Sequence, residues 1–206
     1  MEVLLIRHAD PDYKKDTITE LGHAQAKALA RRMKDMRLDF LYVSPLGRAQ
    51  ATSNYVAKVL GLNPVTLDWL KEINWDRIVD YINKYKFASP DMWGKGFTLE
   101  EDLKPDYENI IRGFNNLLQG HGYTKSGNLY RKDRPNENVI GLLSHGGTIS
   151  TLLGYLLHWT VPLIHIYTHI CATSITRLYW KNLDEKYAIP QLGTFNEYNH
   201  TCECVY

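Results

Sequence analysis

Long apolar runs, an excess of charge, paired cysteines and internal repeats are all missing from this sequence, and each absence removes a class of function. No stretch approaches the ~20 consecutive apolar residues of a membrane-spanning helix. Nor does a charged segment precede an apolar one at the start, since Met1-Glu2 runs straight into the first apolar stretch. A cytoplasmic protein with no membrane partner is the expectation. Lysine and arginine number 24 against 23 aspartates and glutamates, a formal charge of +1, so no global field draws in nucleic acid and any anion site must be local. The three cysteines, Cys171, Cys202 and Cys204, are too few and too late to staple 206 residues. They read as reduced thiols. Cys202-Glu203-Cys204 beside His200 lacks the two-residue spacer of a zinc knuckle and has no second pair, so a polar tail is the simpler reading. Asn199-His200-Thr201 matches a glycosylation sequon, which is idle without secretion. Neither an aspartate-rich metal site nor a Walker glycine loop is evident, and no cofactor is expected.

What is present suffices for one sizeable core, at 44% hydrophobic residues, or for one core carrying an insertion, so a single domain over 1–206 is expected. Leu4-Leu5-Ile6 reads as a buried strand delivering Arg7-His8-Ala9-Asp10. After a polar loop from Pro11 to Asp16, Gly22, Ala26, Leu29, Ala30, Met33 and Met36 recur at helical spacing, with Thr17 or Thr19 placed to cap. Asp39–Val43 reads as a second strand. Ser44-Pro45 then offers an N-cap residue and a proline at the first helical position, Ala49, Ser53, Val56 and Leu60 form an inner stripe, and Gly61 suits the left-handed residue past the end. Pro64–Leu67 is a third strand, followed by a loop from Asp68 to Trp75 that mixes aromatics with acids. From about 76 to 137 the signals are helical but interrupted by Pro90, Gly94, Gly96 and Pro105, with 120–137 reading as a basic surface loop. That stretch is expected to be a large insertion. Asn138–Ser144 is the clearest buried strand, and it runs through His145-Gly146-Gly147-Thr148 into a helix marked by Ile149, Leu152, Leu153, Leu156 and Leu157. Thr173–Trp180 and Tyr187–Leu192 supply one or two further strands. The alternation predicts an α/β fold with a parallel sheet.

Two strand ends thus deliver histidines, one with Arg7 attached, and a third leads into a helix bearing Arg48. A cation in the first turn of a helix opposes the macrodipole unless an anion binds there, or unless solvent screens it. Parallel strands lying side by side would bring these groups to one sheet edge. Two guanidinium groups, two imidazoles and the helix N-terminus at Gly146 would then suit a phosphoryl dianion, the arginines taking the part that magnesium plays in kinases.

Arg7-His8-Ala9, Leu21-Gly22 with Gln25-Ala26, Ser44-Pro45-Leu46-Gly47-Arg48-Ala49-Gln50-Ala51-Thr52, Leu70-Lys71-Glu72 and Ser144-His145-Gly146-Gly147 together resemble the histidine phosphatase superfamily, also called phosphoglycerate mutase-like. Phe195-Asn196 to His200 is similar to its C-terminal strand and tail. The resemblance implies a three-layer αβα sandwich with a mostly parallel central sheet and a helical cap insertion. It implies His8 as a nucleophile forming a phosphohistidine, Arg7, Arg48, His145 and Gly146 binding the phosphoryl oxygens, and Glu72 as proton donor and then base. Asp10, Ser44 and Thr19 would support them from behind. Two residues depart from the family pattern, Ala9 for glycine and Asp10 for glutamate or glutamine, and for Asp10 loop hydrogen bonding is the expected role. Gly146 after His145 excludes the branch with a His-Asp acid motif. The partner implied is a small phosphorylated substrate or free phosphate. The shortness of the chain favours a phosphomonoesterase over a mutase, and a non-catalytic phosphate-binding module is the alternative of another class. His23, His121, His158, His165, His169 and His200 lack comparable context and are expected to be ordinary surface or core residues. Tyr81, Tyr85, Phe87, Trp93, Tyr107, Tyr123 and Tyr130 are expected mostly to pack the insertion's own core. Nothing in the sequence reports oligomeric state.

Overall fold

A computed structural model describes residues 1–74, 104–159 and 161–201. Cys202, Cys204, Tyr81, Tyr85, Phe87 and Trp93 lie outside them. The first strand, β1 (Glu2–Arg7), is buried on both faces, as its unbroken apolar run requires. Its side chains alternate between two cores. Val3 and Leu5 meet Ile110, Phe114, Ile149 and Leu152 from α3 (Lys104–Gly120) and α4 (Gly146–Leu157). Leu4 and Ile6 meet Leu29, Met33, Ala49 and Val56 from α1 (Glu20–Lys34) and α2 (Gly47–Leu60). Helices therefore cover both faces of the sheet, the three layers expected.

β1 pairs in parallel with β8 (Val139–Ser144), which pairs in parallel with β4 (Phe40–Val43), and that with β5 (Val65–Thr66). On its other side β1 is antiparallel to β9 (Ile175–Asn182), followed by β10 (Tyr187–Glu197), β7 (Leu129–Lys132) and β6 (Tyr123–Ser126), each antiparallel to its neighbour. The eight-stranded sheet is thus mixed: its parallel half carries the histidine-bearing strand ends, and an antiparallel half extends it. A two-strand ribbon, β2 (Pro11–Asp12) and β3 (Thr17–Ile18), leaves the end of β1. Among the described residues no helix is long and apolar enough to cross a membrane.

Two expectations need correction. Residues 120–137 are not a surface loop, because β6 and β7 form a hairpin in the sheet. Gly127 turns the chain at φ +59°, and Tyr123 and Tyr130 alternate inward to 2% and 0% exposure. Both tyrosines join the main core, not one of the insertion's own. Basic residues that gave the stretch its polar character find partners, Arg131 on Asp133 two residues away and Lys132 across the sheet on Asn182. Residues 104–137 of the expected insertion therefore belong to the core and sheet, and 75–103 lies outside the described residues. The second correction is at α2, which starts at Gly47 with Leu46 as N-cap and no side-chain cap. Ser44 is still tied to the strand end through its N–H to Leu143 C=O, and its hydroxyl faces His145 instead.

Candidate active site

The parallel register of β1 on β8 sets Arg7 opposite Ser144, so the next residues, His8 and His145, emerge side by side. Both are buried, and their rings meet edge to face with centroids 4.9 Å apart. The His8 Nδ1 lies 2.6 Å from the carbonyl oxygen of Ala9. A carbonyl only accepts, so Nδ1 carries the proton and the lone pair is left on Nε2. Arg48 Nε approaches that lone pair at 3.4 Å, near the outer limit of a hydrogen bond. Burial, with added repulsion from Arg7 and Arg48, pushes the His8 pKa down to about 3 against the opposing pull of the Ala9 carbonyl. The imidazole is neutral at any ordinary pH, its Nε2 lone pair met by that long Arg48 contact.

Arg7 is anchored by donating from Nη1 to Ile170 C=O, while its Nε is buried without a partner among the described residues. Arg48 is buried too and held by Asp16, whose Oδ1 accepts from Nη1 at 2.8 Å while Oδ2 accepts from Gly47 N–H at 2.7 Å. Burial works against ionisation of Asp16, but these hydrogen bonds from Gly47 and Arg48 hold its carboxyl below the usual range. Gly47 is required here, since a Cβ would stand 2.0 Å from Asp16 O. Asp16 also sits in the left-handed region at φ +46°, where aspartate is among the tolerated residues. Sequence reading placed Asp16 in a polar loop and missed this role.

His145 caps α4, and its Nε2 is 2.7 Å from Ser44 Oγ. Ser44 Oγ also accepts from Leu46 N–H, and its O–H can donate to Nε2, the direction that leaves the proton of His145 on Nδ1. That Nδ1 is buried without a partner among the described residues. Burial, then the neighbouring His8, Arg48 and Arg7, push the pKa of His145 down to about 2.

Glu72 follows a 3-10 turn (Asp68–Leu70) and is fixed by the start of α4. Its Oε1 accepts from the N–H groups of Ile73 and Thr148, both at 3.1 Å, and Thr148 Oγ1 pins the preceding carbonyl of Lys71 at 2.5 Å. Burial raises the Glu72 pKa, outweighing the Thr148 and Gly147 hydrogen bonds and the two arginines that lower it. With Oε1 occupied as an acceptor, the proton of the neutral acid falls on Oε2. Asp10, by contrast, turns away: its Oδ2 accepts from Thr19 Oγ1 at 2.6 Å, and Thr19 caps α1 by accepting from Gly22 N–H at 3.0 Å. The expected loop role for Asp10 fits this geometry.

Arg7, Arg48, Glu72, Gly146 and Gly147 line one cavity of about 340 Å³. Its further wall includes Ser150, His165, Thr168 and His169, the last three unremarkable in sequence because nothing local marks them as sharing a cavity. The model of the histidine phosphatase superfamily (branch 1) matches residues 3–116. The chain belongs to that superfamily. The match spans Arg7, His8, Arg48 and Glu72 and ends before His145. Among similar proteins is the uncharacterized phosphatase PhoE of Bacillus subtilis (strain 168), 28% identical over 166 residues, 73% of this chain and 75% of that one. Phosphoserine phosphatase from Entamoeba histolytica, solved with 3-phosphoglyceric acid, superposes with a TM-score of 0.70 at 21% identity over 97% of this chain and 98% of that one. Phosphoglycerate mutase from Bacillus anthracis str. Sterne does so with a TM-score of 0.70 at 17% identity, covering 99% and 96%. At those identities the superpositions speak for the fold.

Proposed function

We propose that this chain is a phosphomonoesterase working through a phosphohistidine on His8, with a small phosphorylated metabolite as substrate. One observation carries the reading: two buried nitrogens have no partner among the described residues, Arg7 Nε on the residue before a neutral His8 and His145 Nδ1 on the ring packed against it, the latter a donor when Ser44 O–H is turned to Nε2 of the same ring. Orphaned buried donors cost about 1–3 kcal/mol each unless something accepts from them, and phosphoryl oxygens accept from both. His8 Nε2 attacks phosphorus, forming the P–N bond as the ester P–O bond breaks. The proton on Glu72 Oε2 goes to the leaving oxygen. The Glu72 carboxylate then takes a proton from water, the hydroxide displaces His8 from phosphorus, and phosphate leaves. The neighbours named phosphatase support hydrolysis, whereas the mutase neighbour marks transfer to a second substrate as the competing outcome.

The test is phosphate release from p-nitrophenyl phosphate beside interconversion of 2- and 3-phosphoglycerate, with acid-labile labelling of the protein. Hydrolysis with a label on His8, both abolished in His8→Ala, is expected. Full activity in His8→Ala sinks the mechanism, dominant interconversion moves the chain to the mutases, and the absence of both turnover and label makes it a binding module.

A further inference from the structure

Part of the cavity wall is built by faces of two helices. Ser150 lies one turn along α4 from Gly146, hence on the same face and directly behind the helix start. His165 belongs to α5 (Val161–Tyr167), and the helical turn continues past it, since Thr168 N–H bonds to Ile164 C=O at 3.1 Å. His165, Thr168 and His169 are thus spaced i, i+3 and i+4 and share a face toward the cavity. His165 Nε2 lies 3.5 Å from Thr151 Oγ1, which ties α5 to α4.

This part of the wall offers hydroxyls and imidazoles, and the described lining residues include no lysine, arginine or ionised carboxylate beyond Arg7 and Arg48. Burial drives the His165 pKa down to about 4, so that ring serves as a neutral hydrogen-bonding group. Among the described lining residues, a second anionic group on the substrate would find no further full positive charge to offset its desolvation. The lining also includes Ile73, Ile170 and the Tyr13 ring, Ile170 holding Arg7 through its carbonyl and Tyr13 lying against Arg48 with the guanidinium carbon 5.4 Å from the ring centroid. Apolar and aromatic groups together with hydroxyls and imidazoles in one lining match a sugar ring, which shows C–H faces and hydroxyls at its rim. A volume of about 340 Å³ is near the lower limit of small-molecule sites, about 300–1,000 Å³, and admits one such ring with its phosphate.

We infer that the substrate is the phosphate ester of a single neutral sugar, its hydroxyls received by Ser150, His165, Thr168 and His169. The inference rests on the phosphoryl group sitting between Arg7, Arg48 and His8. It is tested by kcat/KM on ribose 5-phosphate and glucose 6-phosphate against 3-phosphoglycerate and phosphoserine, with p-nitrophenyl phosphate as a reference that lacks hydroxyls. The sugar phosphates are expected to lead the carboxylate esters by at least about tenfold, the worth of one hydrogen bond of ~1.4 kcal/mol. The ratio of sugar phosphate to p-nitrophenyl phosphate turnover should fall about tenfold in Ser150→Ala and in His169→Leu, and His169→Gln, which keeps a hydrogen-bonding amide, should restore most of it. A carboxylate ester leading in the native protein overturns the inference, whether or not the variants fold. So does a ratio unmoved in both folded variants. Failure of the phosphoryl reading looks different, for then the native protein releases no phosphate even from p-nitrophenyl phosphate.

Discussion

Replacing Glu72 with glutamine separates the two jobs assigned to it. Glutamine keeps an oxygen to accept from the Ile73 and Thr148 N–H groups, so the loop stays in place and only the transferable proton is lost. General acid or base assistance is worth about 10²–10⁴ in rate, roughly 3–5 kcal/mol of barrier. An alkyl phosphate, whose alkoxide cannot leave unprotonated, should lose that factor in the first step. A p-nitrophenyl ester needs no proton on its leaving group, so phosphorylation of His8 should proceed and only the water step, which needs the base, should slow. Rapid mixing of the Glu72→Gln protein with p-nitrophenyl phosphate should therefore give a burst of about one p-nitrophenolate per site, followed by turnover lower by about 10²–10⁴. The pH profile carries the same signature. Because burial raises the Glu72 pKa, alkyl ester kcat/KM in the native protein should fall as pH rises through that raised value, and the variant should lose that limb. Steady turnover without a burst, together with an alkyl ester rate within tenfold of native, would remove Glu72 from both steps.

Two further outcomes follow from groups around the same cavity. Asp16→Asn tolerates the left-handed backbone but removes the charge facing Arg48; with the Asp16 side chain 47% exposed, screening limits the loss to about 1 kcal/mol. A fall in kcat/KM of roughly three- to tenfold is expected, and an unchanged value in steady-state assays contradicts the anchoring role. His8, His145 and His165 are all held neutral by burial, with pKa values of about 3, 2 and 4. The unfolded chain binds protons at these sites below about 6.5 and the folded chain does not, so their contribution to stability is full above 6.5 and drains away as pH falls toward those lower values. Each should cost on the order of 1 kcal/mol per pH unit in that window. Urea midpoints at pH 7, 6 and 5 measure it, and a flat series across that range excludes it.

The chemistry-bearing strand ends were legible because an arginine and a histidine that close a buried apolar run must sit where the core gives out, at the end of the sheet. Arg7, His8, Arg48 and His145 all arrive where the pattern of strand and helix placed them. The hairpin at 123–132 was not legible, since the face that carries the inward Tyr123 and Tyr130 also carries Lys125 and Lys132, which breaks the apolar alternation of a half-buried strand. Ser44 was misread for a physical reason too: a serine before a proline satisfies the rules of an N-cap, and only the tertiary placement of His145 offers its hydroxyl a better partner. Asp16 gave no signal, because an aspartate in a polar loop has many uses and its partner is 32 residues away. Glu72 lay in a loop singled out for its composition. Its protonation state depends on burial against α4, which no local pattern encodes.

The two central imidazoles are spaced by the backbone itself. Their ring separation of 4.9 Å is that of neighbouring strands, about 4.7–4.9 Å, and their residues stand one step beyond the paired positions Arg7 and Ser144. The ladder acts as a ruler, and the spacing of the two backbones from which the rings start is set by peptide geometry before any side chain is chosen. Sequence drift on the surface leaves that distance alone. A single-residue insertion in either strand slips one imidazole to the opposite face of the sheet, so the chemistry is guarded less by the identity of the neighbours than by the count of residues along two strands.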